Sequence, residues 1–340
     1  MTQGIAEALQ VVAARKPLPR PLAEAAFGDL MDARATEAQT GALLLGIATR
    51  GETADEIAGA VAALRQRMRR VRSRRSPLLD TCGSGGLGRD LFNISTAAAV
   101  VAAGAGAAVA KHGNRSISSR VGSADVLEAS GVRLDLEPAA AGRVLDEVGL
   151  AFLFAPSFHP AMRELGRVRR ELGIRTIFNV LGPLANPAGA ARQLVGVGRT
   201  ELVPLLADAL AALGSERAVV FHSALGLDEL VPGSPAAGVE VVDGGTRPWR
   251  FDPADLPQAP VSLSDLKGGD AAENARMLAR LLDGEHGPRR EAALVNAAVA
   301  LVVGGCAPNA REGYEEARAS LDGGAAGRSF ERLKEASRAA

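Results

Sequence analysis

The residue types best suited to chemistry fall in four stretches of this chain. The first runs Asp80-Thr-Cys-Gly-Ser-Gly-Gly-Leu-Gly-Arg-Asp-Leu-Phe-Asn-Ile-Ser-Thr96. Gly83, Ser84, Gly85 and Gly86 follow an apolar strand pattern, and Asn93, Ser95 and Thr96 open a helix. Glycines let backbone N–H groups close in on an anion. A helix start adds free N–H donors and a positive dipole end. The pattern points to a phosphate or diphosphate, with a plain tight turn as the alternative. It has neither the Gly-Lys-Ser/Thr ending of a P-loop nor the spacing of a dinucleotide fingerprint.

The second stretch, Lys111-His-Gly-Asn-Arg115 followed by a serine-rich run to Ser123, leaves the next strand. Lys111 and Arg115 offer positive charge; Ser118, Ser119 and Ser123 offer donors, although a polar surface loop would look similar. The third is the pair Asp228-Glu229 after a strand ending at His222. Adjacent carboxylates at a strand end are hard ligands suited to Mg2+, which usually shares substrate phosphates, although on its own such a pair reads more readily as surface acids. The fourth runs from His159-Pro-Ala-Met162 through Arg169 and Arg170 to Gly182-Pro-Leu-Ala-Asn-Pro187. There Arg169 is suited to a bidentate grip on a carboxylate. Arg169 and Arg170 read equally as surface charges of a helix.

These stretches need elements to hold them. The first 70 residues read as helices at Pro21–Asp32, Glu37–Thr49 and Thr53–Met68, from apolar spacing of three to four. From Pro77 onward short strands alternate with helices. The strands are expected at 78–80, 107–110, 151–154, 194–197, 218–222 and 239–242. The helices are expected at 94–103, 123–129, 138–148, 160–172, 201–213, 271–282, 291–303 and 309–321. That alternation predicts an α/β domain with a largely parallel sheet, whose ligands sit at the carboxyl ends of the strands. Between the two halves, residues 65–75 carry seven arginines. This run reads as a polyanion-binding patch or as a solvated linker; neutrality of the whole chain favours the linker.

Composition narrows the function. The 340 residues carry 39 basic and 39 acidic side chains, so nothing attracts nucleic acid or anionic membrane in general. Aromatics make up only 3%, too few for base-stacking modules. Cys82 and Cys306 form no metal or disulfide pattern, and Cys82 beside the glycine loop reads as a packing residue rather than a nucleophile. The longest apolar run, Ala97–Ala110, is too short to span a bilayer, and no signal-peptide pattern opens the chain, so a cytoplasmic protein is expected.

In this order, from about Glu7 to Leu333, the segments resemble the anthranilate phosphoribosyltransferase family. The likeness rests on Gly83-Ser-Gly-Gly, Phe92-Asn-Ile-Ser-Thr, Lys111-His-Gly-Asn-Arg, Gly122-Ser-Ala-Asp-Val-Leu-Glu-Ala129, His159-Pro-Ala-Met, Arg170-Glu-Leu-Gly-Ile-Arg-Thr-Ile-Phe-Asn-Val-Leu-Gly-Pro-Leu184, Gly226-Leu-Asp-Glu and Gly269-Asp-Ala-Ala-Glu-Asn-Ala-Arg276. It implies a small helical domain, residues 1–75, joined by about 167–188. It also implies a larger α/β domain, residues 76–340, of nucleoside phosphorylase/phosphoribosyltransferase type. Catalysis is expected in the cleft between them, in a homodimer formed through the helical domains. The implied reaction joins anthranilate to 5-phosphoribosyl 1-diphosphate with Mg2+, expected as two ions, and needs no covalent nucleophile.

The resemblance also implies roles. Gly83, Ser84, Gly85 and Gly86 offer donors to the diphosphate; Asn93, Ser95 and Thr96 hold phosphate or ribose oxygens. Lys111, Ser119 and Ser123 contact the donor, and Ser95, Asp228 and Glu229 hold Mg2+. Asn114, His159, Arg169 and Gly182 shape the anthranilate site, and His112 lies between the substrates. The chain departs from the family pattern at Leu87, where Asp is usual, and at Leu91, where a hydroxyl is usual; Ser84 and Ser223 are milder changes. Asp90 is the nearest substitute for the missing carboxylate. The expected consequence is altered Mg2+ dependence rather than lost activity. Two other readings stand beside this one: the same fold acting on another aminobenzoate, and a non-catalytic nucleic-acid binder supported only by the arginine run.

Overall fold

The computed structural model describes residues 3–85, 90–116 and 120–340, except for the side chains of Gln3 and Glu164. Gly86, Leu87, Ser118 and Ser119 of the sequence reading lie outside these residues.

The chain opens with four helices: α1 (Gln3–Ala13), α2 (Arg20–Met31), α3 (Glu37–Arg50) and α4 (Ala54–Arg67). Local chemistry fixes their starts. Thr36 with Gln39 and Thr53 with Glu56 form reciprocal capping boxes, and Pro21 fits the first turn of α2. The first helix was not among the expected elements; it buries Ile5 and Ala8 completely.

The α/β part begins with β1 (Leu79–Gly83), α5 (Ile94–Gly104), β2 (Val109–Gly113), α6 (Ser123–Ala129), α7 (Pro138–Val148) and β3 (Leu150–Phe154). Next come α8 (Ala155–Phe158), α9 (Ala161–Leu172), α10 (Phe178–Leu181), β4 (Arg192–Gly196), α11 (Leu202–Ala212) and β5 (Arg217–Ser223). A hairpin, β6 (Ala236–Val242) and β7 (Gly245–Phe251), precedes α12 (Ala271–Leu282), α13 (Pro288–Gly304), α14 (Ala310–Asp322) and α15 (Ala325–Ala339). The strands form one sheet in the order β3-β2-β1-β4-β5-β6-β7. The first five in that order are parallel; β6 and β7 add antiparallel at one edge. Neither β7 nor α15 was anticipated. Arg247, Pro248 and Arg250 hide the strand pattern, and a proline is tolerated there because β7 is an edge.

Two expected strands run further than their apolar residues. β1 continues through Thr81 and Cys82 to Gly83, and β2 through Lys111 and His112 to Gly113. Polar residues at these ends are paired internally, so they extend the sheet instead of starting a loop.

Period-2 alternation splits the interior into two cores. Leu194, Val219 and Phe221 face the one beside α5 and α13; Val195, Ala218 and Val220 face the other. The second core is shared: Phe27, Ile57 and Leu64 of the helical bundle pack with Phe178, Leu181 and Leu184 and with that sheet face. No helix among the described residues is long and apolar enough to cross a membrane.

The arginine run is a fastened strap rather than a patch. Arg67 pairs with Asp32, Arg69 with Glu137, and Arg74 with Asp146. The Arg75 Nε donates to the Asp146 carbonyl at 2.9 Å. The backbone N–H groups of Arg69 and Val71 donate to the Phe158 and Pro187 carbonyls. Arg70 and Arg72 remain exposed, so the one support of the nucleic-acid reading is reduced to a few surface charges.

Candidate active site

The connections from β1 run outward in opposite senses, to β2 on one side and, after β3, to β4 on the other. Such a switch point opens a crevice at the carboxyl ends of the strands. There the ends of β1 and β2 meet the segment after β5. Lys111 and His112 are neighbours on β2, and strand alternation turns their side chains to opposite faces. This divides the site.

On the Lys111 face, the ammonium donates to the Thr81 carbonyl at 2.5 Å and lies 3.4 Å from the Thr81 and Ser95 hydroxyls. Ser95 sits in the first turn of α5, and its N–H donates to Glu229 Oε1 at 3.1 Å. The Gly85 N–H donates to Asp228 Oδ2 at 3.0 Å. Gly83 must be glycine for this contact: a Cβ would stand 2.6 Å from the same oxygen. Gly196 is as constrained, since its Cβ would fall 1.8 Å from the Asp228 carbonyl. The Asn93 carboxamide oxygen accepts from Asn274, and the buried Thr96 hydroxyl has no partner among the described residues. Burial, then the nearby Asp228, pushes the Glu229 carboxyl up to about 8; burial also raises Asp228.

On the His112 face, two buried imidazoles meet. Nε2 of His112 and Nε2 of His159 are 3.2 Å apart, and His112 Nδ1 is 3.0 Å from the Gly182 carbonyl. A carbonyl only accepts, so the hydrogen-bond network assigns the His112 proton to Nδ1. Neutral His112 then accepts at Nε2, and His159 donates. Burial, reinforced by His159, drives His112 down to about 3; burial drives His159 down to about 4. Both rings are neutral at pH 7. His159 Nδ1 is buried and makes no well-aligned hydrogen bond among the described residues, with the Ala185 carbonyl near it offsetting a part of the effect of burial. Arg169, on the last turn of α9, holds its guanidinium over the Phe178 ring at 5.4 Å, and no carboxylate pairs with it among the described residues. Gly182 borders open space, and Asn114 is exposed at the end of β2.

Two family models cover nearly the whole chain. A glycosyl transferase family helical bundle domain matches residues 6–68, and the a/b domain of the same family matches 75–327. An anthranilate phosphoribosyltransferase of Anaeromyxobacter sp. (strain K) is 49% identical over 322 residues, 95% of each chain. The crystal structure of the Thermus thermophilus anthranilate phosphoribosyltransferase superposes with a TM-score of 0.92 at 42% identity, covering 97% of this chain and 99% of that one. The chain belongs to the anthranilate phosphoribosyltransferase family. The Saccharomyces cerevisiae family member, in complex with PRPP and Mg, is 26% identical with a TM-score of 0.88, covering 99% of this chain and 98% of that one.

Within this family framework the donor set on the Lys111 face fits Mg2+. Asp228 and Glu229 are hard oxygen donors whose raised protonation a cation would relieve, and the Ser95 hydroxyl lies beside them. A cavity of about 10 Å³ touches Thr81, Ser95, Asp228, Glu229 and Asn296, room for about one water. Among the described residues no three His, Cys, Asp or Glu side chains gather tightly enough to hold an ion alone. An ion here would therefore complete its shell with water and substrate oxygens.

The contacts around the crevice bear on several expectations. Arg115 gives the crevice no free charge, because Asp125 and Glu128 neutralise it. Asp90, the nearest acid to position 87, accepts the Arg120 N–H on Oδ1 at 3.0 Å. The Ser123 hydroxyl lies 3.4 Å from the Asn114 backbone carbonyl, and the Asn114 side-chain oxygen accepts the Arg115 N–H at 2.8 Å. Burial raises the Cys82 thiol well above its ordinary value, which suits packing and not nucleophilic attack.

Sequence reasoning missed Asp80. It is fully buried; Oδ1 accepts the His112 N–H at 3.1 Å and Oδ2 accepts from Asn186 Nδ2 at 2.9 Å. Burial lifts it to about 6 against the pull of Lys111. A lone acid between Leu79 and Thr81 in a buried strand was the available signal. Asn186 and Gln193, both buried, were missed too: Asn186 also donates to the Ala110 carbonyl at 2.7 Å, and Gln193 to the Pro183 carbonyl at 2.5 Å.

Proposed function

We propose that this protein transfers the 5-phosphoribosyl group of 5-phosphoribosyl 1-diphosphate to the amine of anthranilate, releasing diphosphate. The observation that carries the reading is the back-to-back placement of Lys111 and His112. One strand end presents a cationic, anion-seeking face and a neutral, buried imidazole face, so donor and acceptor meet across it.

On the donor face, Gly83 and Gly85 amides, the start of α5 and Lys111 bind and orient the diphosphate. Ser119 and Gly86 belong to the same reading by resemblance. Mg2+, when bound by Asp228, Glu229 and Ser95, supplies further charge for the leaving diphosphate; two ions are proposed. On the acceptor face, Arg169 grips the anthranilate carboxylate, and His112, His159, Asn114 and Gly182 shape the ring site. The arylamine is neutral at pH 7 and attacks C1 as the C1–O bond to diphosphate breaks. The N–C1 bond forms, and the ammonium so made, strongly acidic, gives its proton to water. Imidazoles driven to about 3 and 4 are weak bases, which supports a mechanism of positioning and electrostatics with no essential general base.

The reading extends to architecture. Residues 167–188 belong with the helical lobe, supported by the shared core of Phe178, Leu181 and Leu184 with Phe27 and Ile57. A homodimer through the helical lobes is supported by Leu45 on α3, an exposed large apolar side chain. The deciding experiment is product formation from anthranilate and phosphoribosyl diphosphate, with and without Mg2+, in competition with 3- and 4-aminobenzoate. Turnover of anthranilate in preference to its isomers is expected; preference for an isomer, or no turnover, sinks the reading. At Leu87, restoring the acid with Leu87→Asp is expected to shift the Mg2+ dependence of the rate; superimposable titrations would remove the significance of that departure.

A further inference from the structure

We infer that Arg65, which touches neither substrate face, is a positioning residue for the acceptor pocket. It holds the Leu184 carbonyl, and through that turn it sets the Gly182 carbonyl against His112. The inference rests on the proposed acceptor face and names a residue outside it.

Arg65 lies in the last turn of α4. Its Nε and Nη2 both donate to the Leu184 carbonyl, at 2.9 and 2.7 Å. This forked grip on a neutral amide is unusual company for a charge. Among the described residues no carboxylate pairs with Arg65, and burial together with Arg70 and Arg20 works against its protonated form. Two residues on, Arg67 shows the ordinary arrangement, both arms on the Asp32 carboxylate at 2.6 and 2.7 Å. Electrostatics therefore does not account for the place of Arg65; the Leu184 carbonyl does. A half-buried cation without a counter-charge is costly unless its hydrogen bonds are needed.

The turn it holds is bolted on every side. The Gly182 carbonyl meets His112 Nδ1, the Pro183 carbonyl accepts from Gln193 on β4, and the Leu184 carbonyl accepts from Arg65. Asn186 then reaches Asp80 and the Ala110 carbonyl. Of these ties only that of Arg65 comes from the four-helix part; the rest come from the sheet or the turn itself. Apolar packing of Leu184 in the shared core gives cohesion but no direction. The guanidinium supplies the direction, fixing the orientation of one peptide unit two residues from Gly182.

The donor face makes no direct hydrogen bond to this tie; a bridge runs only through Asp80, which accepts from Asn186 and acts on Lys111 by its charge. Lys111 is held by Thr81 and Ser95 on the opposite side of β2, without any atom of the turn. Loss of Arg65 should therefore loosen the Gly182–His112 contact and leave the phosphate cradle in place.

Arg65→Ala and Arg65→Lys test this by steady-state kinetics, each substrate varied against saturation with the other. For Arg65→Ala, the anthranilate KM is expected to rise about tenfold, the effect of one charge-assisted hydrogen bond, while the donor KM stays within about twofold. Arg65→Lys, which keeps the charge but has no fork, should show the same split at smaller size and folds even if the alanine variant does not. Added guanidinium ion should partly restore the anthranilate KM of Arg65→Ala. Equal shifts in both KM values, or an unchanged anthranilate KM with only a lower melting temperature, would overturn the inference. Failure of the wild-type protein to use anthranilate at all would instead strike the proposed function.

Discussion

The two faces of β2 are built on different plans. The donor face uses backbone amides, a helix start and a carboxylate pair in which one oxygen of each acid accepts a backbone N–H, from Gly85 or Ser95. The acceptor face uses imidazoles set against each other and a turn whose carbonyls are held by distant side chains: His112 meets His159 and the Gly182 carbonyl, and the carbonyls that follow are held by Gln193 and Arg65. The difference matches the ligands proposed for each. A diphosphate with a cation carries enough charge to reorganise amides around itself. A small aromatic acid with a neutral amine brings little energy, so its site must be shaped beforehand.

The largest effect should come from the donor face. Lys111→Met, or Asp228→Asn with Glu229→Gln, should lower kcat/KM for the donor by about 10²–10³-fold, the scale of losing preorganised charge at a leaving group. The anthranilate KM should barely move; if it rises in step, the division between faces is false. Next, Arg169→Ala should raise the anthranilate KM about 10–100-fold, as one charged hydrogen-bond partner is lost. An aniline without the carboxylate should be used no worse than by the wild type, and a parallel loss there would place Arg169 elsewhere. A smaller change is expected from Gly83→Ala, whose Cβ would press on Asp228 Oδ2 at 2.6 Å. It should weaken donor binding about tenfold, about one displaced carboxylate contact, with anthranilate binding intact, as titration calorimetry would show.

The smallest effect concerns acid stability. An unfolded chain titrates histidine near 6.5, whereas folded His112 and His159 titrate at about 3 and 4. Between those values the unfolded state binds protons that the folded state refuses, so stability falls as pH falls from about 6.5. Asp80, raised to about 6, acts the other way between 3.8 and 6, and Glu229, raised to about 8, does so between 4.5 and 8; together they offset much of the imidazole slope. Between pH 6.5 and 4.5, the melting temperature of the wild type should fall relative to that of His159→Asn. Parallel curves would mean that the imidazoles are not held neutral.

Much of the donor face could be read from the sequence because backbone-driven sites leave compositional traces. Gly83-Ser-Gly-Gly, the Asn93-Ile-Ser-Thr helix start and Asp228-Glu229 announce themselves by residue type. On the acceptor face the sequence named only Asn114, His112, His159, Arg169 and Gly182, and chiefly by resemblance. Its supports were not, since Asp80, Arg65, Asn186 and Gln193 act on backbone groups far away in sequence, such as Arg65 on Leu184 across 119 positions. Strand ends erred for the same reason: Lys111 and His112 look like loop residues until Thr81 and Asp80 are seen to pair with them. Arg115 erred in reverse, a free cation on paper that Asp125 and Glu128 consume.

The arginine strap has a practical side. Seven cleavage sites for a trypsin-like protease sit within eleven residues joining two lobes, where a digest would be expected to cut first. Yet a protease must draw a stretch of main chain into its own groove. Here Arg69 and Val71 are tied through their amides to Phe158 and Pro187, and Arg74 through its amide to Asp146. The connector thus survives as long as its surroundings stay folded, and fragments would first report the unzipping of α7 rather than a loose tether.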